Sequence, residues 1–239
     1  EYWHPDIFEF ISEKARTGGI VNFNLSVGYD DNFMTKVDED GYFRLVNPKG
    51  DAPLEERVWT SKNLLRKGET DFDKDYRELS PSLIVSKDGT EVINTYNDEV
   101  VGKVSNDGTV LISAKKVFDY IVENAWEDGC PGMIHVERLR DQNKTRNAGE
   151  VRATNPCGEQ PLPPFGACNL GAINLASCVE DGKLNYEELD KRIDSGVHFL
   201  DNVIDMSKFP FKKVYESVHA TRRIGLGMMG FADMLLDMN

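Results

Sequence analysis

Apolar and polar positions along this chain switch repeatedly between a helical and a strand-like period. Over 5–17, Ile7, Phe8 and Ile11 share one helical face, Pro5 suits a first helical position and Gly18-Gly19 stops the run, so the pattern predicts a helix. Val21-Asn-Phe-Asn-Leu-Ser-Val27 alternates apolar with polar and predicts a strand. A short helix with an acidic first turn is expected over 30–37. The period of 3.6 returns at 114–128, where Val117, Tyr120, Ile121 and Trp126 form the expected buried stripe. Gly129-Cys-Pro-Gly132 closes that helix and 133–136 reads as a strand. A short apolar run at 170–175 and a turn at Asp181-Gly182 follow. A long helix over 186–206 and a final one over 231–238 complete the pattern. Strands alternating with helices imply an α/β fold.

Between about Asn47 and Asp107 the character changes to charged residues, Gly and Pro. Lys-Asp-Gly-Thr and Asn-Asp-Gly-Thr turns flank β-like runs at 91–96 and 109–113, which predicts hairpins. The region at about 49–104 is accordingly expected to be a peripheral, β-rich insertion rather than core. The last helix has no stop signal before Asn239 and the first begins close to residue 1, so an internal fragment of a larger catalytic domain is expected.

The 239 residues are enough to bury a real core, and 40% hydrophobic with 29% charged content is ordinary for a globular protein. No apolar run approaches the roughly 20 residues of a membrane span, and the N-terminus lacks the pattern of a signal peptide. The expectation is a cytoplasmic protein without membrane contact. A net charge of −13 argues against non-specific nucleic-acid binding, although local Arg residues or helix N-termini can still hold a nucleotide's phosphates. The two N-x-S/T matches, at Asn24 and Asn143, are then coincidences.

Four cysteines, at 130, 157, 168 and 178, are too sparse for a disulfide scaffold. Without a C-x-x-C pair or spaced histidines, no metal site is expected. In Asn155-Pro-Cys-Gly-Glu159, Pro156 pushes Asn155 toward extended geometry. In an extended chain Asn155, Cys157 and Glu159 project the same way, separated only by Pro and Gly. A thiol flanked by an amide and a carboxylate suits chemistry. A proline-rich surface loop that happens to carry a cysteine remains equally open on these residues alone.

Cys130 and Cys178 read as small buried hydrophobes. Cys168 becomes a candidate second thiol only through its nearness to the 155–159 segment. Arg222-Arg223 could hold phosphate but reads as a solvated helix face. Gly225-Leu-Gly-Met-Met-Gly230 fits the dinucleotide-binding pattern G-x-G-x-x-G, yet no buried strand is expected before it. Close packing, or a tight turn before a helix, is the preferred reading.

Collinear segments carry a further resemblance: His4-Pro-Asp-Ile7, Asn22-Phe-Asn-Leu-Ser-Val27, Asn155-Pro-Cys-Gly-Glu-Gln-Pro-Leu162, Cys168-Asn-Leu-Gly-Ala-Ile-Asn-Leu175 and Arg223-Ile-Gly-Leu-Gly-Met-Met-Gly-Phe-Ala-Asp-Met-Leu235. With these the chain resembles the large catalytic subunit of ribonucleotide reductases, and most of all the adenosylcobalamin-dependent (class II) branch. It departs from the family pattern at Cys130, where an acidic residue is usual, and at Lys144, where a proline is.

The resemblance implies part of a ten-stranded α/β barrel with an internal finger loop at about 152–168. It implies that Cys157 becomes a thiyl radical and takes the 3′ hydrogen of a ribonucleotide. Glu159 would act as general base on the 3′-hydroxyl and Asn155 would hold the substrate hydroxyls. Cys168 would be one half of a dithiol whose partner lies outside this chain. Adenosylcobalamin, an external dithiol such as thioredoxin, nucleoside triphosphate effectors and a homodimer of the full-length protein are implied as cofactor and partners. The chain alone is then expected to be inactive. The alternatives are the di-metal, tyrosyl-radical (class I) reductase, a nicotinamide-dependent dehydrogenase built on 225–230, or a non-enzymatic remnant that keeps the motif.

Overall fold

Parallel strands need long crossovers, because the chain must return to the same end before pairing. Of three such pairs among the described residues, two organise this protein. A computed structural model describes residues 1–17, 20, 22–48, 56–68 and 82–239, and these divide into two units, Glu1–Gln142 and Asn143–Asn239.

In the first unit, β1 (Ser26–Tyr29) pairs in parallel with β8 (Gly132–His135), Val27 opposite Met133. The helix α1 (Ile7–Thr17) precedes β1 and α2 (Asp31–Asp38) follows it. Asp30 caps α2 by accepting from the Phe33 backbone N–H at 2.7 Å. The chain then builds a six-stranded sheet in the order β2-β7-β6-β5-β4-β3. Its strands are β2 (Tyr42–Arg44), β3 (Leu65–Arg66), β4 (Leu83–Val85), β5 (Glu91–Asn94), β6 (Val100–Val104) and β7 (Val110–Ser113). The helix α3 (Ala114–Asp128) leads back to β8. It is capped by Ser113 at its start and by Gly129, in the left-handed region at φ 72°, at its end. A short α4 (Val136–Asp141) closes the unit.

One core serves the whole unit. Phe8 and Ile11 of α1, Phe33 of α2 and Val117 and Ile121 of α3 pack in the same cluster as Trp59, Leu64, Leu83, Val85, Val92, Val101 and Ile112. The β-rich character expected of 49–104 is present, but its described strands are part of this core and do not lie on its surface. Residues 49–55 and 69–81 of that segment lie outside the described residues.

In the second unit, a small hairpin of β9 (Ala153–Thr154) and β10 (Pro161–Leu162) precedes β11 (Asn169–Asn174). A second hairpin, β12 (Val179–Glu180) with β13 (Lys183–Leu184), leads to α5 (Tyr186–Met206) and α6 (Lys212–Thr221). The chain then returns as β14 (Ile224–Met229), parallel to β11 over its full length, and ends in α7 (Phe231–Asp237). Gly196 lets α5 sit close to β14, since a Cβ there would lie 3.1 Å from Leu226 Cδ2. Among the described residues no helix is long and apolar enough to cross a membrane.

Two expectations are corrected, and two helices were not expected. The strand expected at 21–27 begins only at Ser26, where pairing with β8 starts, and Phe23 is 68% exposed. Trp126, placed on the buried stripe by period, is 88% exposed because it lies in the last turn of α3, beyond the packed face. The helices α4 and α6 were not visible in the apolar period, which is short in one and dominated by polar residues in the other. The preferred reading of the glycine motif holds: Gly225 and Gly227 lie inside β14, and Gly230, at φ 68°, makes the turn into α7. The segment before them is α6 and two arginines, not a buried strand, which removes the dehydrogenase alternative. Close packing does explain Gly225 and Gly230: a Cβ at the first would overlap Leu170 Cδ2 and at the second Asn174 Oδ1.

Two outcomes follow for the sheet. A Cβ on Gly102 would run into the Leu111 carbonyl oxygen, which belongs to backbone and cannot swing aside. Gly102→Ala should therefore cost about 1–3 kcal/mol in denaturant unfolding. Asp107, in the β6–β7 turn, accepts from Ser105 Oγ and from the Thr109 N–H at 3.0 Å, which holds its carboxyl down to about 2. A lowered folded value stabilises above the unfolded value of about 3.9, and that contribution disappears as pH falls through the folded one. The stability gap between the native protein and Asp107→Asn should be constant above pH ~4 and close as pH nears ~2.

Candidate active site

The segment 152–162 folds back on itself because its residues favour a turn. Thr154 pairs with Pro161 and Ala153 with Leu162 in antiparallel register, and Arg152 N–H donates to Leu162 O at 3.2 Å. Asn155 N–H donates to Gln160 O at 3.2 Å, and Gly158 N–H to Asn155 O at 3.0 Å. The last bond defines a four-residue turn, Asn155 to Gly158. Pro156 stands at its second position, where a fixed φ is favourable, and Gly158 takes φ 88°, which an L side chain resists.

The Asn155 side chain locks this turn from within. Its Oδ1 accepts from the Gln160 N–H at 2.9 Å, and its Nδ2 donates to Glu159 Oε1 at 2.5 Å. Amide and carboxylate thus meet across the turn that carries Cys157, which is exposed. The alternation expected of an extended strand is corrected here: residues 156–158 form a turn and bend, and the meeting of Asn155 with Glu159 comes from chain reversal. Proline excluded helix at Asn155 as expected, but with glycine two places on it favours reversal over extension.

Cys168 lies half-buried immediately before β11, its Sγ donating to the Asn169 carbonyl at 3.4 Å. Burial pushes its thiol up. The charge of Arg223 pulls it back down and that of Glu159 pushes it up further. Glu159 is therefore near enough for its charge to reach this second thiol. The hairpin also reaches the same end of the ladder through Gln160, whose Nε2 would lie 3.3 Å from a Cβ on Gly225.

The two arginines part company. Arg222, in the left-handed region at φ 45°, closes α6 and binds α5: its Nε donates to Asp201 Oδ1 at 2.8 Å and its Nη1 to Asp205 Oδ1 at 2.8 Å. Those bonds hold both carboxyls below the usual range. Arg223 turns elsewhere, its Nη2 donating to Thr145 Oγ1 at 2.8 Å. Neither lies on a solvated helix face, so that expectation is corrected. Arg223 was singled out in the sequence only as half of a basic pair; its nearness to Cys168, and the contacts of Thr145 and Gln160 at this end of the ladder, depend on the strand pairing.

Of the remaining thiols, Cys178 is buried as expected of a small hydrophobe. Cys130 is only half-buried and accepts from Lys14 Nζ at 3.4 Å, so its surroundings are partly polar.

Comparison with known proteins gives a consistent family. A family model described as ribonucleotide reductase, barrel domain, matches residues 1–239. The chain is 35% identical over 237 residues to a protein of Thermoplasma acidophilum named vitamin B12-dependent ribonucleoside-diphosphate reductase, covering 98% of the chain and 24% of that protein. It is 34% identical to a protein of the same name from Mycobacterium tuberculosis, covering 97% of the chain and 26% of the relative. A ribonucleoside-diphosphate reductase subunit alpha of Chlamydia pneumoniae is 25% identical, covering 100% of the chain and 21% of that subunit. The chain thus spans about a quarter of the length of these relatives.

The turn makes its own test. Asn155→Ala removes the acceptor of the Gln160 N–H, and exchange of that amide with solvent should speed up by about tenfold, the value of one ordinary hydrogen bond. Unchanged exchange would mean that the backbone alone holds the tip.

Proposed function

This chain belongs to the ribonucleotide reductase barrel-domain family, and from that premise we propose that it carries the radical and redox thiols of an adenosylcobalamin-dependent ribonucleoside-diphosphate reductase. The observation that carries the reading is the Asn155–Glu159 hydrogen bond across the tip of the 152–162 hairpin, the turn in which Cys157 stands exposed. The printed names of the B12-dependent relatives support the cofactor and the diphosphate substrate. Identity of 34–35% to those two, against 25% to the Chlamydia subunit alpha, favours this branch over the di-metal one.

The chain is proposed as part of a ten-stranded α/β barrel, with 152–168 as its finger loop. The parallel pairs β1–β8 and β11–β14, one in each unit, are of the kind that such a barrel repeats. The segment 49–104 is proposed as an insertion into that plan, one that has been taken into the core of its unit.

Adenosylcobalamin, when bound, supplies an organic radical able to take a hydrogen atom from a thiol. The fit rests on Cys157: its sulfur is exposed at the apex, so a group held outside the hairpin can reach it. No residue of this chain is assigned to holding the cofactor. As a thiyl, Cys157 takes the 3′ hydrogen of the ribose. Glu159, an acceptor already polarised by the Asn155 amide, takes the proton of the 3′-hydroxyl. Asn155 holds Glu159 and the substrate hydroxyls in one arrangement. Cys168 and a second thiol outside this chain supply two electrons and close to a disulfide, and the 2′-hydroxyl leaves as water. The turn contributes rigidity, because a proline and an internally bonded asparagine leave the sulfur few alternative positions.

A dithiol protein such as thioredoxin is proposed as reductant, nucleoside triphosphates as effectors, and a homodimeric, cytoplasmic full-length protein as the working form. In that protein, Cys157→Ser should abolish deoxynucleotide formation from a ribonucleoside diphosphate with adenosylcobalamin and dithiol. Glu159→Gln should lower kcat by about 10²–10⁴ with substrate binding retained. Turnover by the serine variant would overturn the reading.

A further inference from the structure

Arg223 stands immediately before β14 and Cys168 immediately before β11. The first rung of the parallel ladder pairs Asn169 with Ile224, so each of these two residues is the position immediately outside that rung on its own strand. Neighbouring strands run about 5 Å apart, and residues at equal positions project to the same side. The guanidinium of Arg223 is tethered at one corner, its Nη2 donating to Thr145 Oγ1 at 2.8 Å. Its Nε is buried and has no acceptor among the described residues. Leaving a buried guanidinium N–H unpaired is costly, so the site is built to receive an acceptor. The charge of Arg223 reaches Cys168 and favours its thiolate, whereas burial, the larger influence, and Glu159 oppose it.

We propose that Arg223 is a positioning residue for Cys168, holding this sulfur so that it is the one released as thiolate when an external dithiol reopens the disulfide. The inference rests on the reading of Cys168 as a redox thiol given above. A thiolate of the reductant attacks the partner sulfur and a new S–S bond forms there. The bond to Cys168 breaks, and its electron pair stays on Cys168 Sγ beside the guanidinium. The second thiol of the reductant then displaces the partner sulfur. In sum the protein disulfide gains two electrons and two protons, and the external dithiol becomes a disulfide. A thiol of lower pKa leaves faster, which gives Arg223 its effect on rate.

The test follows alkylation of Cys168 by iodoacetamide across pH in the full-length protein, read by mass spectrometry on the peptide that contains it. Arg223→Gln should raise the midpoint by about 1 pH unit, and Arg223→Lys should keep most of the native value. Thr145→Val leaves the charge but frees its tether, and should fall between. Reopening of the disulfide by dithiothreitol should slow several-fold in Arg223→Gln. A folded Arg223→Gln protein with an unmoved midpoint overturns the proposal. If that variant does not fold, an unmoved midpoint in Thr145→Val does so. Cys168→Ser separates the two levels: nucleotide reduction surviving it would refute the redox role of Cys168, even where Arg223 moves the thiol as expected.

Discussion

The side-chain amide of Asn155 is the constraint on which the candidate site depends. One group with a donor and an acceptor closes the turn onto Gln160 and draws in Glu159. No hydrophobic contact at the tip could do both, because burial is non-directional and hydrogen bonds are not. Proline and glycine prepare the reversal, the amide fixes it, and Cys157 is left exposed within it. A hairpin of two-residue strands would be marginal alone. Here Val151 and Leu162 are buried at its base, so the exposed tip stands on a packed foot.

Much of the fold was legible in the chain because helices with a clear apolar stripe and a cap announce themselves. The helices α3 and α5 match their expected spans, and Ser113, Gly129 and Asn185 supply the end groups. What period could not reveal was pairing. Alternation over 21–27 was real, but only the part opposite β8 became strand. The charged stretch after Asn47 looked peripheral because its turns are polar, yet Val92 and Val101 between those turns are fully buried.

The site divides in the same way. Asn155, Cys157 and Glu159 could be singled out from spacing alone, though on an expected geometry that differs from the observed one. Their side chains are grouped by a reversal, which period-two reasoning does not describe. Arg223 could not have been found by spacing, since it is 55 positions from Cys168 (223 − 168) and its meaning lies in the register of β11 against β14. The glycines of β14 show why a motif needs its context. The same G-x-G-x-x-G spacing that elsewhere cradles phosphate here thins a strand so that neighbours can close on it.

That parallel ladder also sets an order of assembly. Its two strands are separated by the β12–β13 hairpin, α5 and α6, all of which must be synthesised before Ile224 can meet Asn169. The cysteine ahead of one strand therefore gains its cationic neighbour late. A nascent chain emerging from the ribosome carries that sulfhydryl without the guanidinium of Arg223 until β14 docks.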